Sequence, residues 1–297
     1  MQSLLDLSRS QAETVARAAS FTVGVDARRQ YSVSGVAFDE RHVLALDHTV
    51  EREEDMHLIL PDGERVGAKV RGRDPRSNLV LLVSDKRLPA AGVAASNPPR
   101  IGDIAFVGGR PSGAVEAVMG MVSAAGGPLR FRGGGSVEAY LEIDAFRVPG
   151  FSGGPVVDAA AAVLGVTMNS AREARSFAIG AAHAWKIAAA LREGGSIRRG
   201  YLGIRSQPVR LSEGIRAELG REQSSGLLVV GMEKGDPADA AGFMVGDIVV
   251  GFAGKPVSEH EDLVDALGPE VVGKPVTAEL ARGGAILRVE VKPSAAA

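Results

Sequence analysis

The 297 residues suffice for two domains, and the 45% hydrophobic and 24% charged fractions are those of an ordinary globular chain. A formal net charge of −2 with no basic run gives no electrostatic footprint for nucleic acid. The absence of cysteine excludes disulfides, thiolate metal sites and cysteine nucleophiles.

The first residues, Met1 to Arg9, lack a basic leader, and Asp6 and Arg9 interrupt their apolar side chains, so no signal peptide is read. No stretch approaches the roughly 20 apolar residues of a membrane span. The expected compartment is therefore the cytoplasm as the chain stands, or the periplasm or exterior if it is trimmed. Leu4, Leu5, Leu7, Ala12, Val15, Ala16 and Ala19 recur at helical spacing and predict an amphipathic helix. The period then shortens. Apolar runs at 21–25, 35–38, 42–46 and 57–60 predict short strands punctuated by Gly, Pro and Asp, and the rhythm continues through 69–73, 79–83, 104–107, 119–123, 141–143 and 163–168. Such a series describes an all-β domain of barrels or sandwiches. A helix over 184–193 closes it, stopped by Gly194 and Gly195, and 194–200 reads as a linker. Beyond Tyr201, strands at 227–230, 248–252, 276–281 and 286–291 alternate with helices at 237–241 and 259–267. That mixture describes a small α+β module.

Chemistry concentrates in Gly150-Phe151-Ser152-Gly153-Gly154-Pro155. A serine becomes nucleophilic when a base takes its proton, and the tetrahedral intermediate needs preorganised donors. Glycines on both sides let the backbone turn N–H groups inward, and those of Gly150 and Ser152 are the expected oxyanion hole. Alone, this segment would more often be a glycine-rich turn. The base candidate, His48, follows the strand at 42–46. The order histidine, strand-borne third member, Ser-Gly-Gly-Pro is that of the chymotrypsin-type triad. Of the other histidines, His42 and His57 fall within strands, His183 precedes a helix and His260 opens one; no pair has metal-ligand spacing, so neither metal nor cofactor is expected.

These motifs resemble the HtrA/Deg family of serine proteases. Ser34-Gly35-Val36-Ala37 and Ala45-Leu46-Asp47-His48-Thr49-Val50 are similar to its histidine region. Asp74-Pro75-Arg76-Ser77-Asn78-Leu79-Val80-Leu81-Leu82 is similar to the segment bearing its triad aspartate. Gly120-Met121-Val122-Ser123 and Ser176-Phe177-Ala178-Ile179 match two later strands. The resemblance implies a mainly β fold: an N-terminal helical segment (1–20), a chymotrypsin-like pair of six-stranded β-barrels (21–193), the linker (194–200) and a PDZ domain (201–297). It also implies assembly as a homotrimer through the N-terminal segment. In the second module, Ala241-Gly242-Phe243-Met244-Val245-Gly246-Asp247-Ile248 resembles the PDZ core, and Tyr201-Leu202-Gly203-Ile204 resembles its carboxylate-binding loop. That loop implies capture of protein C-termini by backbone N–H groups beside a strand edge.

The departures are as informative as the matches. Asn78 stands where the family has its triad aspartate, Phe151 replaces an asparagine, and Pro149 precedes the oxyanion glycine. An amide brings no negative charge to the histidine and can select its wrong tautomer. In another trypsin-type protease this replacement lowers turnover about 10⁴-fold, roughly 5 kcal/mol of barrier. Asp47 and Asp74 lie nearby in sequence but are poor substitutes. Phe146 and Phe177 are expected to line a pocket for an apolar side chain. Two readings stay open: an attenuated endopeptidase acting on unfolded or exposed polypeptides through His48, Asn78 and Ser152, or a pseudoprotease that binds peptides through its PDZ domain.

Overall fold

The structure is a computed structural model that describes residues 2–28, 31–130, 136–168, 175–195, 197 and 199–295. It divides into two compact units, Met1–Ile197 and Arg198–Ala297. The first opens with helix α1 (Gln2–Ala19), which buries only Thr14 and Ala18 and leaves Leu4, Leu5 and Leu7 exposed. Strands β1 (Thr22–Asp26), β2 (Val33–Ala37), β3 (His42–Leu46), β4 (His57–Ile59), β5 (Arg65–Asp74) and β6 (Leu79–Ser84) follow. They close a barrel in the order β1-β2-β3-β6-β5-β4. The continuous apolar runs of β3 and β6 carry fully buried Leu44, Leu46, Leu79, Leu81 and Leu82. Closure leaves such strands without a free edge.

The next strands are β7 (Ile104–Gly109), β8 (Glu116–Gly126), β9 (Leu129–Arg130), β10 (Ser136–Val137), β11 (Tyr140–Phe146), β12 (Pro155–Val157), β13 (Val163–Thr167) and β14 (Arg175–Gly180). A second barrel closes as β11-β14-β13-β12-β7-β8, with β9 and β10 paired separately. Its core holds Val107, Val122, Ile143, Val156, Ala178 and Phe151. Helix α2 (Ala181–Gly194) seats Ile187 and Leu191 in the first barrel's core cluster. It ends as Gly195 turns left-handed (φ 69°) and returns its N–H to the Leu191 carbonyl at 2.8 Å.

Two boundaries differ from expectation. Helix α2 begins three residues early, so His183 lies inside it and is buried. The linker expected over 194–200 is shorter, because Gly194 closes α2 and Gly200 opens a strand; Ser196 and Arg198 lie outside the described residues.

The second unit contains β15 (Gly200–Tyr201), β16 (Ile204–Arg210), α3 (Glu213–Leu219), β17 (Ser225–Met232), α4 (Pro237–Ala240), β18 (Ile248–Phe252), β19 (Lys255–Pro256), α5 (His260–Ala266), β20 (Val276–Arg282), β21 (Ala285–Val291) and β22 (Ser294–Ala295). Its sheet runs β16-β17-β18-β20-β21, with β19 on β18, while β15 pairs β22. Leu202, Leu227, Val249, Phe252 and Leu280 form its core. Inside it, Asp247 is 1% exposed and its carboxylate is held by the Arg282 guanidinium and the Met244 N–H.

Candidate active site and peptide-binding edge

His48 sits in a single 3₁₀ turn, Asp47–Thr49, directly after β3. The turn is tied down from two sides. The Thr49 hydroxyl donates to the Leu46 carbonyl at 2.7 Å. From β5, the Arg73 guanidinium donates to the Asp47 carboxylate, to the Val50 carbonyl at 3.2 Å and to Glu53 at 3.0 Å. Burial works against the Arg73 charge, but the hydrogen bonds to Asp47 and Glu53 outweigh it and the net shift of its pKa is upward. Asp47, the residue beside the histidine, is therefore committed to Arg73.

Asn78 closes the turn between β5 and β6. Its φ is +58°, a left-handed conformation that asparagine tolerates better than most residues. Its main-chain carbonyl accepts the Asp47 N–H at 2.9 Å. Its Oδ1 accepts the main-chain N–H of His48 at 3.1 Å and lies 2.9 Å from His48 Nδ1. A main-chain N–H can only donate, so the amide must turn its oxygen, not its NH₂, toward His48. Nδ1 then donates to the same oxygen, and Nε2 is left with its lone pair. The tautomer selected by Asn78 is thus the one a base requires. Missing is the negative charge of an aspartate, and the acids nearest in sequence are engaged elsewhere: Asp47 is paired with Arg73, and Asp74, buried behind the turn, accepts the Ser77 hydroxyl at 2.6 Å.

The nucleophile loop is wedged against the first barrel. Ser34 of β2 donates its N–H to the Ser152 carbonyl at 3.1 Å and its hydroxyl to the Gly150 carbonyl at 2.7 Å. The Ser34 hydroxyl in turn accepts the Arg110 N–H at 2.9 Å. Gly153 (φ +88°) abuts the Ser34 carbonyl so closely that a methyl group would collide with it; that methyl would also lie 3.5 Å from the Leu46 nitrogen. This contact brings the Ser152 segment beside the end of β3, two residues before His48. Gly153 N–H then donates to the Thr167 carbonyl at 2.8 Å.

Both departures in this loop have a steric account. In Val148-Pro149-Gly150-Phe151 the Phe151 N–H returns to the Val148 carbonyl at 3.3 Å, and Gly150 has φ +83°. Proline followed by a positive-φ glycine is the residue pattern of a type II turn, so Pro149 presets this corner. Phe151 is 1% exposed within the second barrel's core, against Gly109, where any side chain would strike its ring. The Phe151 carbonyl accepts the Gly154 N–H at 2.8 Å. Because a trans peptide points its C=O and N–H in opposite directions, the Ser152 N–H faces away from that bond. The expected apolar pocket fares differently. Phe146 is 88% exposed, and Phe177 stacks on Tyr140 at a ring separation of 6.0 Å.

In the second unit the segment Tyr201-Leu202-Gly203-Ile204 is braced from one side. Leu202 and Gly203 offer their carbonyls to the N–H groups of Ala238 and Glu233, each at 2.9 Å. Gly203 has φ +77° and faces Asp236 too closely for any side chain. Asp236, near the Tyr201 hydroxyl, raises the phenol's pKa. Ile204 opens β16, at the end of the sheet. Sequence reasoning gave Ser34 no role of its own and did not single out Arg73 or Arg110, because the groups they engage are distant in the chain: backbone atoms for Ser34 and Arg110, and chiefly the Asp47 and Glu53 carboxylates for Arg73.

Comparison with known proteins agrees with this architecture. The profile of the trypsin-like peptidase domain matches residues 33–166, and that of the PDZ domain matches residues 200–292. A DegP-like periplasmic serine endoprotease of Rhizobium meliloti is 33% identical over 242 residues, 78% of this chain and 47% of the relative. Its counterpart in Chlamydia trachomatis is 31% identical over 273 residues, 88% and 54% of the two chains. The chain thus spans about half the length of these relatives. Among solved structures, the HtrA-type protease AlgW with tripeptide superposes with a TM-score of 0.75 at 26% identity, covering 96% of this chain and 97% of that one. The serine endoprotease from Yersinia pestis gives 0.74 at 26% identity, covering 96% and 98%.

Proposed function

The chain belongs to the HtrA/DegP family of trypsin-like serine peptidases joined to a PDZ domain, and we propose that it is a serine endopeptidase attenuated at one triad position. Its substrates in this reading are unfolded or exposed polypeptides. Ser152 Oγ attacks the scissile carbonyl while His48 Nε2 takes its proton and later delivers it to the leaving amine. The N–H groups of Gly150 and Ser152 receive the developing oxyanion. Asn78 orients the imidazole but does not stabilise the imidazolium with charge.

The double acceptance by Asn78 Oδ1 carries the proposal, since it leaves Nε2 free as a base. The test is cleavage of casein by the native chain and by Ser152→Ala, with labelling of Ser152 by a fluorophosphonate. Cleavage above the Ser152→Ala background, together with labelling lost in that variant, is expected. Neither signal would leave the second reading, a peptide-binding pseudoprotease, which draws support from the engagement of Asp47 by Arg73 and of Asp74 by Ser77.

The PDZ domain is proposed to deliver C-terminal segments of substrates or regulators through Tyr201, Leu202, Gly203 and Ile204. Exposed Leu4, Leu5 and Leu7 of α1 suit the homotrimer that the resemblance implies. Among the described residues no helix is long and apolar enough to cross a membrane. The periplasmic relatives support an extracytoplasmic site of action over the cytoplasmic one.

A further inference from the structure

Strand β16 is the terminal strand of the second unit's sheet, with β17 on one side, and helix α5 packs against it. His260, the first residue of α5, places Nε2 2.9 Å from the carbonyl oxygen of Ser206 in β16. A carbonyl oxygen only accepts, so Nε2 carries the proton and donates it.

The direction of that carbonyl follows from strand geometry. In an antiparallel ladder a residue turns its N–H and C=O to the same edge, and its second neighbours do likewise. Ser206 and Pro208 therefore share an edge. The register shift between Arg205 and Ser206 puts its extra residue, Val230, on β17 and leaves the alternation along β16 intact. Proline has no N–H, and within sheets it is confined to edges where that side faces out. Pro208 and the His260 bond agree: Ile204, Ser206 and Pro208 form the open edge of β16. A polypeptide adding itself as a strand there must give an N–H to the Ser206 carbonyl, the atom His260 already holds.

We propose that His260 is a latch on the peptide-docking edge, occupying the Ser206 carbonyl until the C-terminal segment of a polypeptide displaces it. The proposal rests on the reading of Tyr201–Ile204 as the carboxylate-binding loop. It makes each docking event an exchange of one hydrogen bond for another, so the resting contact subtracts from affinity. A hydrogen bond of ordinary net strength corresponds to about a fivefold change in Kd.

The test uses the full chain carrying Ser152→Ala, so that no probe is cleaved. Fluorescein-labelled decapeptides ending in Val, Ile, Leu, Phe or Ala are titrated as a pool with free carboxylates and as the same pool amidated, and binding is read by anisotropy. The acid pool is expected to bind tighter than the amide pool, and His260→Ala to bind the acid pool about fivefold tighter than the parent. His260→Gln, which keeps a donor within reach of Ser206, is expected to stay near the parent. Binding of the acid pool by His260→Ala that is equal to or weaker than the parent's would overturn the latch. No preference for the acid over the amide pool in any of the three chains would instead overturn the carboxylate reading, and the latch with it.

Discussion

Two turns of the first unit depart from the family pattern, with different consequences. The nucleophile loop diverges at Pro149 and Phe151, and packing absorbs both: Pro149 presets a corner with Gly150, and Phe151 fills space left by Gly109. The 74–78 turn diverges only at Asn78, where geometry is preserved and charge is lost. Steric changes can be met by neighbours of complementary size. A missing charge is replaced only by another free charge within a few ångströms, and the nearby carboxylates are engaged by Arg73 and Ser77.

The steric half of the comparison breaks most visibly at Phe151. Phe151→Ala is expected to cost about 3–5 kcal/mol in the first unit's urea transition, the range for a buried aromatic truncated in a core. A cost below about 1 kcal/mol would contradict the bracing role. The His48 turn offers a smaller effect. Arg73→Gln is expected to lower kcat on casein about tenfold with little change in KM, because the imidazole would be misplaced while substrate contacts persist. Arg73→Lys should recover part of that loss, and an unchanged kcat would remove Arg73 from the account.

The smallest effect is a pH dependence remote from the nucleophile. His183 of α2 is 7% exposed; neither ring nitrogen has a hydrogen-bond partner among the described residues, and the Glu138 carboxylate stands 3.6 Å from Nδ1. Burial lowers its pKa, and the opposing pull of Glu138 does not cancel that. The unfolded chain therefore takes up a proton near pH 6.5 that the folded chain refuses. Stability should fall as pH drops below about 6.5, by at most roughly 1.4 kcal/mol per unit, and level off once the folded imidazole protonates. His183→Leu should flatten that segment of the stability curve; an unchanged slope would assign it to other groups. Glu138, whose pKa is lowered chiefly by Lys186, loses its own contribution only below about pH 4.5.

Sequence legibility follows the same division between local and distant causes. Strands β3, β6 and β18 could be read because buried apolar runs end at turn residues. Strand β16 could not: Ile204-Arg205-Ser206-Gln207-Pro208-Val209-Arg210 contains a proline and mostly polar side chains, as an exposed edge allows. Helix α3 was hidden by Gly214 in its first turn, although Ser212 caps it by accepting the Ile215 N–H. His48, Asn78 and Ser152 stand in local motifs and were singled out. Ser34, Arg73 and His260 earn their places only through backbone carbonyls and side chains brought close by folding, so no spacing rule marks them.

The sharpest test of the comparison is the turnover of casein by Asn78→Asp beside the native chain, with Ser152→Ala as background. If Asn78 already supplies tautomer and geometry, the substitution restores only an electrostatic interaction worth up to about 4 kcal/mol at 4 Å. The expected outcome is native cleavage above background and an Asn78→Asp rate up to about 10³-fold higher. An Asn78→Asp rate no higher than the native one would contradict the claim that a missing charge is what holds this site back.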